Sequence, residues 1–171
     1  MALRLHVNRL SRTTFVMTRN NKRQARWESS NGDGFRHVLV PTDLTDRTAK
    51  AFDLALRLAR RRRSRLTLLH VIQVVPGIEM GELAPFYEKL DKRARTKMAT
   101  FASRAPREIP VRIEVVYGAR AESIISVARK RRVDLIVLAS HRVNPVMVGR
   151  DWGTISYKVG ILAPCPVLLV K

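Results

Sequence analysis

From Arg36 onward the chain alternates short apolar runs rich in β-branched residues with longer segments of helical period, and that alternation admits few folds. A strand that returns through a helix to a parallel neighbour makes a βαβ unit, and such units build an open parallel sheet with helices on both faces. His37-Val38-Leu39-Val40 reads as a buried first strand ending in Pro41-Thr42-Asp43, after which Thr45 or Asp46 caps a helix reaching Arg62. Leu66 to Val71 reads as strand two, and Val75-Pro76-Gly77 breaks the chain behind it. Pro85 to Ala102 spaces Phe86, Leu90, Ala94, Met98 and Phe101 as the inward stripe of a second helix.

The second half repeats the pattern. Val111 to Val115 alternates apolar and polar residues, as a strand near a sheet edge does, and Gly118 closes it. Ala121 to Arg131 forms a helix burying Ile124, Ile125 and Ala128, and the nearly all-apolar Val133 to Ala139 belongs at the sheet centre. A loop from Ser140 to Trp152 leads into a last helix, Gly153 to Ala163, and Val167 to Val170 is a terminal fifth strand. With no helix after it, that strand leaves an edge that a second copy of the chain can cover, so a homodimer through the C-terminal strand is expected.

Length and charge set the remaining bounds. A chain of 171 residues suits one core, and 46% hydrophobic residues suffice to build it. Residues 1–35 read as a basic, disordered N-terminal extension and 36–171 as the folded domain: seven Arg and Lys precede the first acid, Glu28, and Ser29 to Gly34 reads as a flexible linker. An organellar transit peptide, or a start at Met17, are other readings of that extension. No run approaches the roughly 18 apolar residues of a membrane helix, so a soluble, cytoplasmic protein is expected. The formal net charge of +19 makes non-specific binding of polyanions an expectation of its own. The basic runs Arg60 to Arg63 and Lys130 to Arg132 both fall at helix C-termini, where the helix dipole favours cations.

Ligands of open parallel sheets bind beyond the carboxyl ends of the strands, where the strand order reverses. Thr42-Asp43, His70-Val71 and the loop from Ser140 to Ile155 converge there and can enclose a nucleotide. Asp43 offers a short acceptor to an adenine amino group or a ribose hydroxyl, and the amides of Gly153, Thr154 and Ile155 offer N–H donors to a phosphate. The same residues also read as ordinary turn and capping positions. His37, His70 and His141 are scattered, Cys165 lacks an activating partner, and neither a P-loop nor a nucleophile elbow is present, so no catalytic or metal residues are assigned.

The strand end Val-Pro-Thr-Asp at Val40 to Asp43, Leu-Leu-His-Val-Ile at Leu68 to Ile72, Gly118 before Ala121-Glu122-Ser123-Ile124-Ile125, the run Asp134 to His141 and the closing Ala163 to Val170 together resemble the universal stress protein family. That resemblance spans Arg36 to Lys171 and implies a Rossmann-like sheet akin to the adenine nucleotide alpha hydrolases, a homodimer, and a stress-response regulator that binds ATP or AMP, the former with Mg. The implied ligand set is Thr42, Asp43, Val71, Ala139, Arg142, Gly153, Thr154 and Ile155. The chain departs from the family's G-x2-G-x9-G-[ST] pattern: Ala139 and Arg142 replace the first two glycines, and ten residues rather than nine precede Gly153-Thr154. An arginine in place of glycine bars close backbone approach to a phosphate while supplying a fork for an anion. No residue is placed as a general base, so activity beyond slow hydrolysis of a phosphate held beside Arg142 is not expected. The alternative reading is a nucleotide-free interaction module acting through its dimer surface and basic arm.

Overall fold

The computed structural model describes residues 34–60, 64–75, 77, 81, 83–140 and 154–171. The N-terminal extension, the arginines at 61–63 and the loop carrying Arg142 and Gly153 lie outside the described residues. The elements are β1 (His37–Thr42), α1 (Asp46–Arg60), β2 (Arg65–Ile72), α2 (Ala84–Ala102), β3 (Val111–Tyr117), α3 (Arg120–Arg131), β4 (Leu135–Ala139), α4 (Ile155–Leu162) and β5 (Val167–Val170). The five strands form one parallel sheet in the order β3-β2-β1-β4-β5.

Successive strand residues point to opposite faces, and here both faces are covered. Val38, Val40, Leu66, Leu68, Leu135 and Val137 pack with Ala51, Phe52, Ala55 and Leu56 of α1 and Met98 of α2. Leu39, Leu69, Val71, Ile136 and Leu138 meet Ala121, Ile124, Val127 and Ala128 of α3 and Val159 of α4. Double coverage explains why Val38 to Val40 of β1 and β4 read as unbroken apolar runs, and Leu66 to Ile72 of β2 as one broken only by Thr67 and His70. Each fully buried aliphatic side chain contributes about 1.5–3 kcal/mol.

Three expectations need correction. The middle of the sheet is β1, and β4 lies between it and the edge strand β5. In α2 the buried stripe starts at Tyr87, while Phe86 is 52% exposed. The reason is that the Tyr87 ring packs edge-on against Tyr117 and its hydroxyl accepts from the Val75 amide at 3.0 Å, which sets the phase of the helix. The last helix begins at Ile155, with Thr154 as its N-cap, its hydroxyl accepting from the Tyr157 amide. The expected edge position of β3 is observed.

The chain turns from one side of the sheet to the other between β1 and β4. The ladder joining them runs through Val38 and Leu39, whereas β1 pairs with β2 along all six of its residues. Pro41, which has no amide hydrogen to give a neighbouring strand, sits in the stretch beyond.

Candidate ligand cleft at the strand switch point

Where β1 and β4 part, the carboxyl ends of the strands and the starts of three helices surround a cavity of about 470 Å³. That lies within the ~300–1,000 Å³ usual for small-molecule sites. The floor is apolar, from Leu69, Val71, Ile124 and Leu138, and the rim is polar, from Thr42, Asp43, His70 and Ser156. Of the residues singled out from the sequence, Thr42, Asp43, Val71, Ala139, Thr154 and Ile155 line this one cavity.

Asp43 is held by its own loop. Its Oδ1 accepts from the Thr45 hydroxyl at 2.6 Å, the Thr48 hydroxyl at 2.9 Å and the Thr45 amide at 3.0 Å. Its Oδ2 meets Arg47 at 3.3 Å. Burial pushes the carboxyl pKa up, but the hydrogen bonds from Thr45 and Thr48 and the Arg47 charge outweigh it and leave it below the usual value. Asp43 is thus a fixed anion whose Oδ1 serves the turn and whose half-exposed Oδ2 can accept from a ligand.

The turn carries strain. Leu44 takes a left-handed conformation at φ 63, unfavourable for a branched residue by about 1–2 kcal/mol, and its amide donates to Thr42 Oγ1 at 2.9 Å. The Thr42 hydroxyl in turn donates to that of Thr48 at 3.2 Å, so the first strand end, the turn and α1 form one hydrogen-bonded unit. Strain of this kind persists where surrounding structure over-determines the backbone, and it collects at functional sites.

His70, which the sequence places with Val71 among the segments converging on the site, also lines the cavity. Its Nδ1 lies 2.9 Å from the Thr42 carbonyl, which only accepts, so Nδ1 carries the proton and Nε2 is the acceptor of the neutral ring. On the far wall the Thr154 cap occupies the Tyr157 amide, leaving the Ile155 and Ser156 amides as first-turn donors without an intrahelical acceptor.

Two lining arginines were not anticipated. Arg47 stands in the first turn of α1 and Arg120 opens α3, both at the positive ends of helix dipoles, where a cation is disfavoured. A basic residue in a first helical turn was the sequence signal available for them, but only the strand order brings these two helix starts to one cavity. Cys165 is half-buried away from this site, packed on the α3–α4 side of the sheet, and burial pushes its thiol up to about 12. No cluster of three metal-ligating side chains exists among the described residues.

Fold and cleft together define a doubly wound α/β protein with a candidate ligand cleft at the topological switch point. The chain belongs to the universal stress protein family, whose model matches residues 34–171. It is 30% identical over 152 residues to universal stress protein YxiE of Bacillus subtilis, covering 80% of this chain and 99% of that one. Among solved structures it is similar to hypothetical protein MJ0577, with 25% identity, a TM-score of 0.66 and coverage of 80% of this chain and 95% of that one. It also shares its fold with a universal stress protein in complex with cAMP, at 17% identity and a TM-score of 0.60, covering 81% of this chain and 98% of that one.

Proposed function

We propose that this chain is a homodimeric, cytoplasmic stress-response regulator that binds an adenine nucleotide, ATP or AMP, in the cleft between β1 and β4, and that it works by binding rather than by catalysis. Family membership supports the stress-response role. The observation that carries the ligand reading is the cavity itself, in which an apolar floor suited to a base adjoins a fixed carboxylate, two helix-start amides and two arginines. In this reading Asp43 Oδ2 accepts from the ribose or the adenine amino group, and Val71 and Ala139 contact the base. Thr154, the Ile155 amide, Gly153 and Arg142 meet the phosphates, with Mg accompanying a triphosphate. Bound nucleotide would favour one of two surfaces shown to a partner, by no more than its difference in affinity for the two states.

The dimer reading is supported by β5 and α4, where Leu168 is 37%, Leu169 42%, Ile161 60% and Leu162 55% exposed. Isolated apolar residues at a surface are ordinary, but these lie on or beside an edge strand whose outer hydrogen-bonding side no described strand of the sheet pairs, with Leu168 on one face and Leu169 on the other, which suits pairing with a second copy. Among the described residues no helix is long and apolar enough to cross a membrane. Isothermal titration with Mg-ATP and AMP tests the cleft: a Gly153→Asp variant loses affinity by at least about tenfold, the cost of a charge placed against phosphate, and unchanged affinity rules the cleft out. The internal satisfaction of Asp43 Oδ1 favours one competing reading, in which Asp43 only builds the turn and the chain is a nucleotide-free module. Wild type that binds neither nucleotide would establish it.

A further inference from the structure

The end of the sheet opposite the cleft carries a set of cations that nucleotide binding leaves unused. In a parallel sheet every strand begins, and every returning helix ends, at the same end. The topology therefore gathers Arg36 just before β1, Arg65 at the first position of β2, Arg112 at the second of β3, and Arg129 to Arg132 at the close of α3. Arg65 pairs with His37, and Arg112 with Thr67, in positions that alternate with Val38 and Leu66 and so project to the side covered by α3. The Arg131 guanidinium binds both oxygens of Glu114 at 3.1 Å, and Arg112 lies 3.7 Å from the same carboxylate, which ties the helix end to the row of strand starts.

Beside the close of α3 the acids are already engaged, and the exposed Glu108 before β3 pairs with none of the cations named. Glu114 is shared by those two arginines, and Asp134 accepts from the amides of Arg36 and His37 at 2.8 and 3.0 Å. Among the described residues Arg36, Arg65, Arg129, Lys130 and Arg132 are exposed and have no acidic side chain at ion-pair distance. The helix dipole accounts for cations in the last turn of α3, but it does not reach Arg36, Arg65 and Arg112, which open strands. It also does not explain Arg132, which sits at φ 54, a left-handed helix-end position that glycine fills at least cost.

The form of the surface selects its partner. Neighbouring strands lie about 4.8 Å apart and rise about 3.3 Å per residue, so Arg65 and Arg112, on adjacent strands and two residues apart in level, lie about 8 Å apart on the side where α3 ends, while duplex DNA carries a charge every ~1.7 Å of its axis. The exposed aromatics Phe86, Tyr117 and Tyr157 belong to the opposite end, and Phe35 packs against the core, so among the described residues no side chain at this end offers a stacking platform for unpaired bases or a ring to seat among lipid headgroups. We infer that this end of the sheet is a sequence-independent binding surface for a nucleic-acid duplex, held through its phosphate backbone. It is separate from the nucleotide cleft and does not depend on it.

The test uses the full chain and a short mixed-sequence DNA duplex, with affinity measured by fluorescence anisotropy between about 0.05 and 0.2 M salt. Replacing Arg65→Gln, Lys130→Gln and Arg132→Gly together lowers the slope of log affinity against log salt by about 3, and affinity near 0.1 M salt by at least about tenfold. The control replaces three exposed lysines of α2, Lys89→Gln, Lys92→Gln and Lys97→Gln, for the same loss of net charge, and leaves the slope nearly unchanged. Arg132→Gly alone separates binding from folding: it removes one phosphate contact, lowering the slope by about 1, without lowering the melting temperature, because glycine suits that backbone. Equal losses in the two triple variants would assign the binding to overall charge and overturn the proposal. So would the absence of duplex binding by wild type, including the case in which only vesicles of anionic lipid are bound.

Discussion

The two ends of the sheet are made from the same strands and helices yet do opposite things. At the carboxyl end β1 and β4 separate, a branched residue is held at positive φ, and an open cavity is lined by groups with hydrogen-bonding capacity to spare. At the amino end the buried polar groups are consumed. Buried His37 is 2.8 Å from the Thr67 hydroxyl through Nε2 and 3.1 Å from the Arg131 carbonyl through Nδ1, and Asp134 takes both incoming amides of β1. One carboxylate, Asp43, stands beside a cleft, whereas the other, Asp134, closes a seam. Satisfied buried polar groups mark the structural seam, and under-used groups mark function: hydrogen-bonding groups in the cleft at one end, exposed cations on the surface of the other.

The largest expected effect lies at the closed end. Asp134→Ala removes a charged acceptor from the part-buried His37 amide and the exposed Arg36 amide and lowers unfolding free energy by about 2–3 kcal/mol, read by urea denaturation, with nucleotide affinity of the remaining folded protein unchanged. Gly118→Ala comes next. Its φ of 141 is foreign to alanine, and a Cβ would meet Ser123 Oγ at 3.0 Å, so a loss of about 1–3 kcal/mol is expected in the same assay. Asp43→Ala reverses the pattern of Asp134→Ala: stability falls by only about 1 kcal/mol, since the lost bonds are at an exposed turn, but nucleotide affinity falls at least about tenfold. Equal stability losses from the two aspartates, with binding intact in both, would erase the distinction between the ends.

The smallest effect separates the ends by pH. Burial lowers the pKa of His37 below its ordinary 6.5, the Arg65 charge adds to this, and the Arg131 carbonyl and Asp134 oppose it. The unfolded chain therefore binds a proton at His37 more readily than the native one. The resulting stability is fully present above 6.5 and is lost as pH falls from there toward the native pKa. Asp43, with its native pKa below 3.8, is unaffected in that window and loses its contribution only as pH falls through its native value. Denaturation curves across mildly acidic pH should show a decline that His37→Gln removes and Asp43→Asn does not.

Much of this was legible in the chain. The apolar runs of β1, β2 and β4 declare strands buried on both faces, and the alternation at Arg112 and Glu114 declares an edge. The stripe of α2 was misjudged by one residue because Phe86 and Tyr87 are neighbours, and only the partner Tyr117 decides which turns inward. Strand order was not written locally, so Arg47 and Arg120 could not be placed at one cavity. For the same reason the strand-opening arginines could not be joined to the basic end of α3. Arg142 and Gly153, central to the phosphate side of the proposed site, lie outside the described residues, and their part rests on the sequence pattern.

The central claim is that the cleft reads an adenine nucleotide rather than negative charge. A thermal-shift titration with Mg-ATP, AMP and inorganic triphosphate at low and high salt tests it directly, because a ligand that binds only the native state raises the melting temperature. The account predicts a shift with ATP or AMP that survives high salt and that triphosphate does not reproduce. Equal shifts from all the anions that fade with salt, or no shift at all, would contradict it.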